Sequence, residues 1–453
     1  MKLRKKLAIF LSKAANYVCR KLGRQGVTWA GRIAVTIYPD ILKELAGEVR
    51  QRIYVTCGTN GKTTTNNMLC SFLRSEGQTV ICNSTGSNML NGVISAFVLA
   101  ADRHGHLDAD YACIEIDEAS TLRVFPHFTP DYMILTNLFR DQLDRYGEID
   151  ITMDLLRRAI AMAPDCTLIV NADDVLSASL ATSTGHRTIT YGISTPCPDN
   201  PASTSEIREG RFCQLCGEKL DYKFYHFSQL GSYHCPGCGF KRPAIDYDAT
   251  DITLHQGLNF TLVPKNKEPV SLSSNYRGFY NIYNILAAYA GAHTEGFALE
   301  KIAPILKDFK PENGRMEHFH IQGTDVLLNL AKNPAGFNQN ISAVMEDSSK
   351  KNLIVVINDN AQDGHDISWL WDVDLERFSG ANINRIIVSG LRAYDMELRF
   401  KYSDIPCEAI LSVEEAIQTM LQDELDNLYI LVNYTALFGT RKRLKQLEEG
   451  EHA

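Results

Sequence analysis

"VTCGTNGKTTT", residues 55–65, departs at one position from the phosphate-binding pattern G-x-x-x-x-G-K-[ST]: Thr56 stands where the first glycine would be. Before it, Arg52-Ile-Tyr-Val-Thr is apolar and β-branched and reads as a buried strand. After it, Met68, Leu69, Phe72 and Leu73 recur at helical spacing, so a helix is expected over Thr64–Arg74. A strand, a glycine-containing loop and a helix N-terminus make an anion site, because free backbone N–H groups and the helix dipole face the phosphates. Gly58, Thr59, Asn60, Gly61, Lys62, Thr63 and Thr64 are then the nucleotide contacts. Lys62 would reach the β- and γ-phosphates of ATP, and the Thr63 hydroxyl would ligate Mg²⁺. A chance Gly-Lys-Thr turn would not need a strand on one side and a helix on the other.

The string "GTNGKTT" is narrower than a generic phosphate loop and resembles the Mur ligase family, which includes the folylpolyglutamate synthases. Five further segments resemble that family's motifs in the family's order. "CIEIDEAS" (113–120) is similar to the strand whose Glu holds Mg²⁺, with Glu115 best aligned and Glu118 the alternative. "LTNLFRDQLDRYGE" (135–148) is similar to T-N-x-x-x-D-H-L-D-x-x-G. "NADD" (171–174) and "GFYNIYNILAA" (278–288) are similar to segments around the adenosine, with Asn281 and Asn284 as contacts. "NGRME" (313–317) is similar to G-R-x-E, whose Arg, here Arg315, meets the phosphates. The resemblance implies an enzyme that turns a carboxylate into an acyl phosphate, which an amine then attacks. Lys62, Glu115 and Arg315 would be its catalytic residues.

Composition agrees with a soluble cytoplasmic enzyme. The 453 residues suffice for two or three domains. With 22% charged residues and a net charge of −8, no global basic field argues for nucleic acid. No apolar run reaches the roughly 18 residues that a membrane span needs. "LAIFLSKAA" is interrupted by Lys13 and is short for a signal peptide. The twelve Cys therefore point to thiols or a metal site rather than disulfides. Cys213-Gln-Leu-Cys216 and Cys235-Pro-Gly-Cys238 form two C-x-x-C knuckles at zinc-ribbon spacing, which predicts a closed, structural Cys₄ Zn²⁺ site. Gly217 and Gly239 follow the knuckles, where tight turns aim N–H groups at the thiolates. Tyr222, Phe224, Tyr225 and Tyr233 are expected to cover the module.

Three departures from ordinary Mur ligases sharpen the resemblance. Only about fifty residues precede the loop, too few for a UDP-sugar domain. Gln142 replaces the family His of D-H-L-D. No Lys lies between Lys62 and Lys219, so the carbamylated Lys of many members cannot be present there. Farther on, "LNLAKNPAGFNQNI" (328–341) takes the place of D-Y-A-H-x-P, and "VVINDNAQDGHDISWLWDVDLE" (355–376) follows. Strand–helix alternation here implies a small Rossmann-like domain. The fold class expected is α/β, with a phosphate-loop central domain, an inserted Cys₄ ribbon and a C-terminal Rossmann-like domain. The domains expected are a basic helical segment at 1–50, the ATP-binding domain at 51–317 with the ribbon at about 205–245, and the last domain at 318–453.

Together these features resemble an amidating branch of the family. The resemblance implies amidation of the D-glutamate α-carboxylate of lipid II to D-isoglutamine. Ammonia would come from a separate GatD-like glutaminase subunit, in a heterodimer. A Cys–His glutaminase commonly needs a carboxylate to orient its imidazole. Among Asp359, Asp363 and Asp366 of "NDNAQDGHDISW", Asp366 is the candidate to supply it across the interface; Asx-turns and a helix cap are the plain alternative. Two other functions stay open: a stand-alone Mur or folylpolyglutamate-type amino-acid ligase, and a zinc-ribbon nucleic-acid-binding NTPase.

Residues 1–38 carry nine Lys or Arg and no acid. Leu7, Phe10, Leu11, Ala14 and Val18 recur at helical spacing. That stripe predicts a helix docked on the ATPase domain; contact with anionic lipid at the inner face of the membrane is the alternative.

Overall fold

A computed structural model describes residues 2–21, 26–141, 147–198, 209–254, 257–309, 314–379 and 381–450. The strand feeding the phosphate loop is β1 (Arg52–Cys57). Beside it lie β2 (Val80–Cys82), β3 (Tyr111–Glu115), β4 (Tyr132–Leu135), β5 (Thr167–Asn171) and β6 (Thr188–Gly192). These six are parallel, in the order β6-β5-β4-β1-β3-β2. Strands buried on both faces read as continuous apolar runs, as "IYVTC" and "YACIE" do. The strand order reverses at β1, and a doubly wound sheet opens its ligand crevice at such a point. Three strands widen the sheet beyond β6: β9 (Tyr247–Thr253), β10 (Leu258–Pro264) and β11 (Val270–Ser274), the last two antiparallel.

Between β6 and β9 a hairpin of β7 (Asp221–Phe227) and β8 (Leu230–His234) stands out from the sheet and carries the two C-x-x-C knuckles near its ends. Tyr222 stacks on Tyr225, and Tyr233 donates its hydroxyl to the Ala172 carbonyl, which ties the hairpin to the end of β5. Phe224 packs edge-on to His226 with Arg242 over its ring, so it joins the hairpin to the parent domain as well.

A second sheet has the order β12-β13-β17-β14-β15-β16. Its strands are β12 (Arg315–Ile321), β13 (Thr324–Leu330), β14 (Lys351–Val356), β15 (Ile383–Ser389), β16 (Glu408–Ala409) and β17 (Asn427–Val432). Only β12 runs antiparallel. Helices Pro334–Glu346 and Ala393–Tyr402 cover one face, and Val413–Met420 and Tyr434–Gly450 cover the other. This is the expected Rossmann-like layering, and the boundary expected at 317/318 falls inside β12. The apolar run at 428–437 splits: β17 ends at Val432, and the helix begins at Tyr434.

Helices Lys2–Lys21, Val27–Ile37 and Ile41–Ala46 pack around helix Leu90–Ala100. At Gly31 a Cβ would overlap the Asn91 carbonyl, so glycine permits the close approach. The first helix docks through Lys5, Ala8, Ile9 and Ser12. The stripe Leu7, Phe10, Leu11, Ala14 and Val18, expected to make that contact, faces outward instead.

Asp173, fully buried, gathers the sheet end: it accepts from Arg242 (3.0 Å), the Tyr283 hydroxyl (2.8 Å) and the Ile193 N–H (2.8 Å). Burial pushes its pKa up to about 6, against the pull of Arg242. A carboxyl raised above its unfolded value holds more protons in the folded state. Its contribution to stability is therefore present at low pH and lost as pH rises through about 6. We expect the unfolding free energy of the wild type, minus that of Asp173→Asn, to fall between about pH 4 and pH 6. Urea titrations across that window measure it; a rising difference would mean that the Arg242 pair dominates.

Candidate active site at the junction of the two sheets

The phosphate loop leaves β1 and enters helix Lys62–Ser75 through two glycines with positive φ, Gly58 at 124° and Gly61 at 82°. The chain below the loop pins it. Thr59 N–H donates to the Asn137 carbonyl (2.7 Å), and Asn60 N–H donates to Asn137 Oδ1 (3.0 Å). The Gly58 N–H donates to Glu118 (2.9 Å). A Cβ at Gly58 would strike Thr136, and one at Gly61 would strike Asn284. The first-turn N–H groups of helix Lys62–Ser75 have no partner within the helix and open onto the cleft.

Lys62 is buried, with its ammonium folded back onto the Gly58 carbonyl and 3.0 Å from Glu118. Burial works against its charge, but Glu118, Asp117 and Glu115 outweigh it and hold the pKa above its ordinary value. Thr63 donates its hydroxyl to Glu115, whose other oxygen accepts from Asn88 (2.8 Å). Asn83 clamps the Glu115 backbone from both sides, accepting from its N–H (2.9 Å) and donating to its carbonyl (2.8 Å). The two carboxylates left open by the sequence thus part company: Glu115 meets the threonine hydroxyl, and Glu118 meets the lysine. Hydroxyl and carboxylate oxygens side by side fit a hard divalent cation.

Asn281 and Asn284 are buried in one helix turn and line the same cleft, with Tyr276, Tyr280 and Phe139 as flat apolar surface nearby. Asn284 donates to Asn281 (2.9 Å), which donates to the Arg277 carbonyl (2.8 Å). Asn284 also accepts from the Thr65 hydroxyl (3.4 Å) and abuts Gly61, so it braces the loop.

The second sheet supplies the facing wall. Arg315 opens β12 at a bulge, with Met316 in the left-handed region (φ 55°) and its N–H held by Asn329 (3.0 Å). A bulge next to a site re-aims a side chain, here the Arg315 guanidinium, into the cleft. Lys332, paired with Asp141 at 2.6 Å, and Gln339 line that wall too. Gln339 Oε1 is buried without a hydrogen-bond partner. Asn60 and Asn333 join the walls by exchanging side-chain amide bonds at 3.3 and 3.1 Å. Lys332 and Gln339 lie within "LNLAKNPAGFNQNI", where no role was expected of either. Their signal was position alone, just after the apolar strand β13. Gln142 lies outside the described residues.

The three Asp of "NDNAQDGHDISW" separate. Asp363 is buried and accepts from the N–H and hydroxyl of Thr435. Asp359 pairs with Arg392 at 2.6 Å. Asp366 is half-buried and accepts from the Ser368 N–H at 2.8 Å. The Ser368 hydroxyl and N–H hold its carboxyl below the usual range, so it is charged at neutral pH. Near the turn it starts, Trp371 packs on Tyr402, and both are exposed, with Tyr394 and Leu398 on the same helix as Tyr402.

Remote from the cleft, the sulfurs of Cys213, Cys216, Cys235 and Cys238 lie within 4.8 Å of one another. Gly217 and Gly239 adopt φ of 79° and 76°, and their N–H groups bond back to the Cys213 and Cys235 carbonyls. This arrangement suits a tetrahedral metal.

Residues 55–236 match the Mur ligase middle domain, and residues 330–437 match the MurT ligase C-terminal domain. The chain is 35% identical over 451 residues to the Staphylococcus aureus (strain COL) lipid II isoglutaminyl synthase (glutamine-hydrolyzing) subunit MurT, covering 99% of each chain. It belongs to the MurT family. The MurT of Streptococcus pneumoniae is 33% identical, with 98% of each chain covered. Among solved structures, a pseudomurein peptide ligase type C from Methanothermus fervidus superposes with a TM-score of 0.71 at 25% identity, over 89% of this chain and 80% of that one. As a MurT-family chain it is an ATP-dependent carbon–nitrogen ligase.

The wedge between Gly61 and Asn284 is open to test. Gly61→Ala would force a left-handed alanine against Asn284. We expect ATP affinity to fall at least about tenfold, following from about 1.4 kcal/mol of strain, in calorimetric titration. Unchanged affinity would show that the loop relaxes freely.

Proposed function

We propose that this chain phosphorylates the α-carboxylate of D-glutamate in the lipid II stem peptide and delivers the acyl phosphate to ammonia. The carboxylate oxygen attacks the γ-phosphorus and ADP departs. Ammonia then attacks the carbonyl carbon, phosphate leaves, and a proton is lost, giving D-isoglutamine. The observation that carries this reading is the end-to-end likeness to two MurT subunits whose printed names specify lipid II isoglutaminyl synthesis with glutamine hydrolysis. The site is consistent with it. Lys62 and Arg315 line the cleft from opposite walls and would meet the transferring phosphoryl group where negative charge spreads. Thr63 and Glu115 would hold Mg²⁺, which would supply charge neutralisation. Gly58 to Thr64 would cradle the phosphates, and Asn281 and Asn284 would border the nucleoside. In this reading residues 51–317 bind ATP and end in Arg315 on the facing wall, which 318–453 complete.

A glutamine-hydrolysing reaction needs a glutaminase, and a GatD-like partner subunit would provide it. Asp366 is the carboxylate proposed to orient the partner's catalytic imidazole. Asp363 and Asp359 are engaged within the chain, while Asp366 is charged and opens the turn Ser368–Asp372, which carries the exposed Trp371, packed on Tyr402. Such a patch of large apolar side chains suits a partner. We further propose that Cys213, Cys216, Cys235 and Cys238 hold one structural Zn²⁺ as an inserted ribbon.

Two nitrogen donors separate the roles. In the complex, Lys62→Ala should lower amidation at least about 100-fold with glutamine and with ammonium alike, since a lost charge at the transferring phosphoryl group costs that much. Asp366→Asn should lose glutamine-driven amidation while keeping the ammonium-driven rate. Ammonium-dependent turnover at the wild-type rate in Lys62→Ala would overturn the phosphorylation step. Equal loss with both donors in Asp366→Asn would place that residue in the synthetase site.

Metal analysis should find one zinc per chain in the wild type and none in Cys213→Ser, with lower solubility for the variant. Full zinc occupancy in the variant would reject the ribbon.

A further inference from the structure

The first helix has two apolar faces, and only one of them is used. Lys5, Ala8, Ile9 and Ser12 are buried in the domain, and on the opposite side Leu3, Leu7, Phe10 and Tyr17 form a stripe at helical spacing. Leu3 is 81% exposed, Phe10 69% and Tyr17 61%, and Trp29 of the next helix adds a ring that is 58% exposed. Scattered exposed apolar residues need no explanation, but a continuous stripe does.

The charge that the two helices themselves carry is of one sign. Arg4, Lys6, Arg20 and Lys21 are exposed, and no acid occurs before Asp40 in a chain whose net charge is −8. Lys21 Nζ lies 5.2 Å from the centre of the Tyr17 ring, and the Arg32 guanidinium lies 5.8 Å from that of Trp29. Each pairs an amphipathic ring with a cation, the combination that settles at a bilayer's headgroup level. Basic side chains flanking an apolar stripe match a surface that is acidic outside and apolar beneath. No described helix is long and apolar enough to cross a membrane, so the contact would be peripheral.

We propose that these two helices dock the enzyme on an anionic membrane surface, with Leu3, Leu7, Phe10, Tyr17 and Trp29 entering the headgroup region and the cations meeting lipid phosphates. Gly31 seats the second helix on Asn91, a few residues beyond the loop Thr85–Asn88 that borders the nucleotide cleft. The dock and the cleft are therefore joined through one short stretch of chain. The choice of lipid as the occupant rests partly on the lipid-linked substrate proposed above.

Flotation of the full-length protein on vesicles tests the dock. Binding is expected to equimolar phosphatidylglycerol–phosphatidylcholine vesicles, at least about tenfold weaker binding to phosphatidylcholine alone, and release in 0.5 M salt as screening shortens to a few ångströms. Leu7→Glu/Phe10→Glu changes only exposed positions. It should keep the wild-type melting temperature, lose flotation at least about tenfold, and amidate detergent-solubilised lipid II at the wild-type rate. Failure of the wild type to float on the anionic vesicles would overturn the dock, as would equal flotation by the variant. So would a variant that floats normally but no longer self-associates or binds its partner subunit, since the stripe would then be a protein interface. Amidation by the wild type in detergent is read separately: its absence, with flotation intact, would overturn the substrate reading and not the dock.

Discussion

The active-site wall depends on the way the backbone of residues 58–61 is gripped. Thr136 and Asn137 hold it from beneath, and Asn284 presses on it from the side, at distances that leave no room for a Cβ at Gly58 or Gly61. That grip fixes where the helix Lys62–Ser75 begins. It therefore fixes the directions of Lys62 and Thr63, and through Thr63 the position that Glu115 can share. Two distant parts of the chain, the end of β4 and the helix Tyr280–His293, converge on four residues of loop.

Much of this was legible in the sequence because the chemistry is local. A phosphate loop needs its glycines, lysine and threonine next to one another, between a strand and a helix. Two C-x-x-C knuckles likewise announce their own geometry. The resemblance ranked Glu115 ahead of Glu118 for the metal, but that Glu118 would meet Lys62 was not legible, since it depends on what packs opposite each carboxylate. Lys332 and Gln339 come from the second sheet, and no local pattern shows that its wall faces the loop. The N-terminal helix exposes the limit of periodicity. Its apolar stripe is plain in the sequence, but the face it buries carries Lys5, Ala8, Ile9 and Ser12, which no apolar pattern marks.

The buried pair of Lys62 and Glu118 is a poor stabilising device. Withdrawing two charges from water costs several kcal/mol for each ion, and replacement of such pairs by apolar residues is often neutral or better. Its value lies in holding the ammonium charged and in place. The same carboxylate also fastens the Gly58 N–H, so lysine and loop share one anchor.

The exchange of amide bonds between Asn60 and Asn333 carries no net charge, unlike the Arg140–Asp372 and Lys332–Asp141 pairs that also span the junction. Salt screens ion pairs and protons can discharge them, but neither acts on a pair of carboxamides. The two walls therefore keep one fastening that is indifferent to ionic strength and to pH. It sits at the loop itself, so the register between the phosphate cradle and the facing wall survives a change of medium that would loosen the periphery.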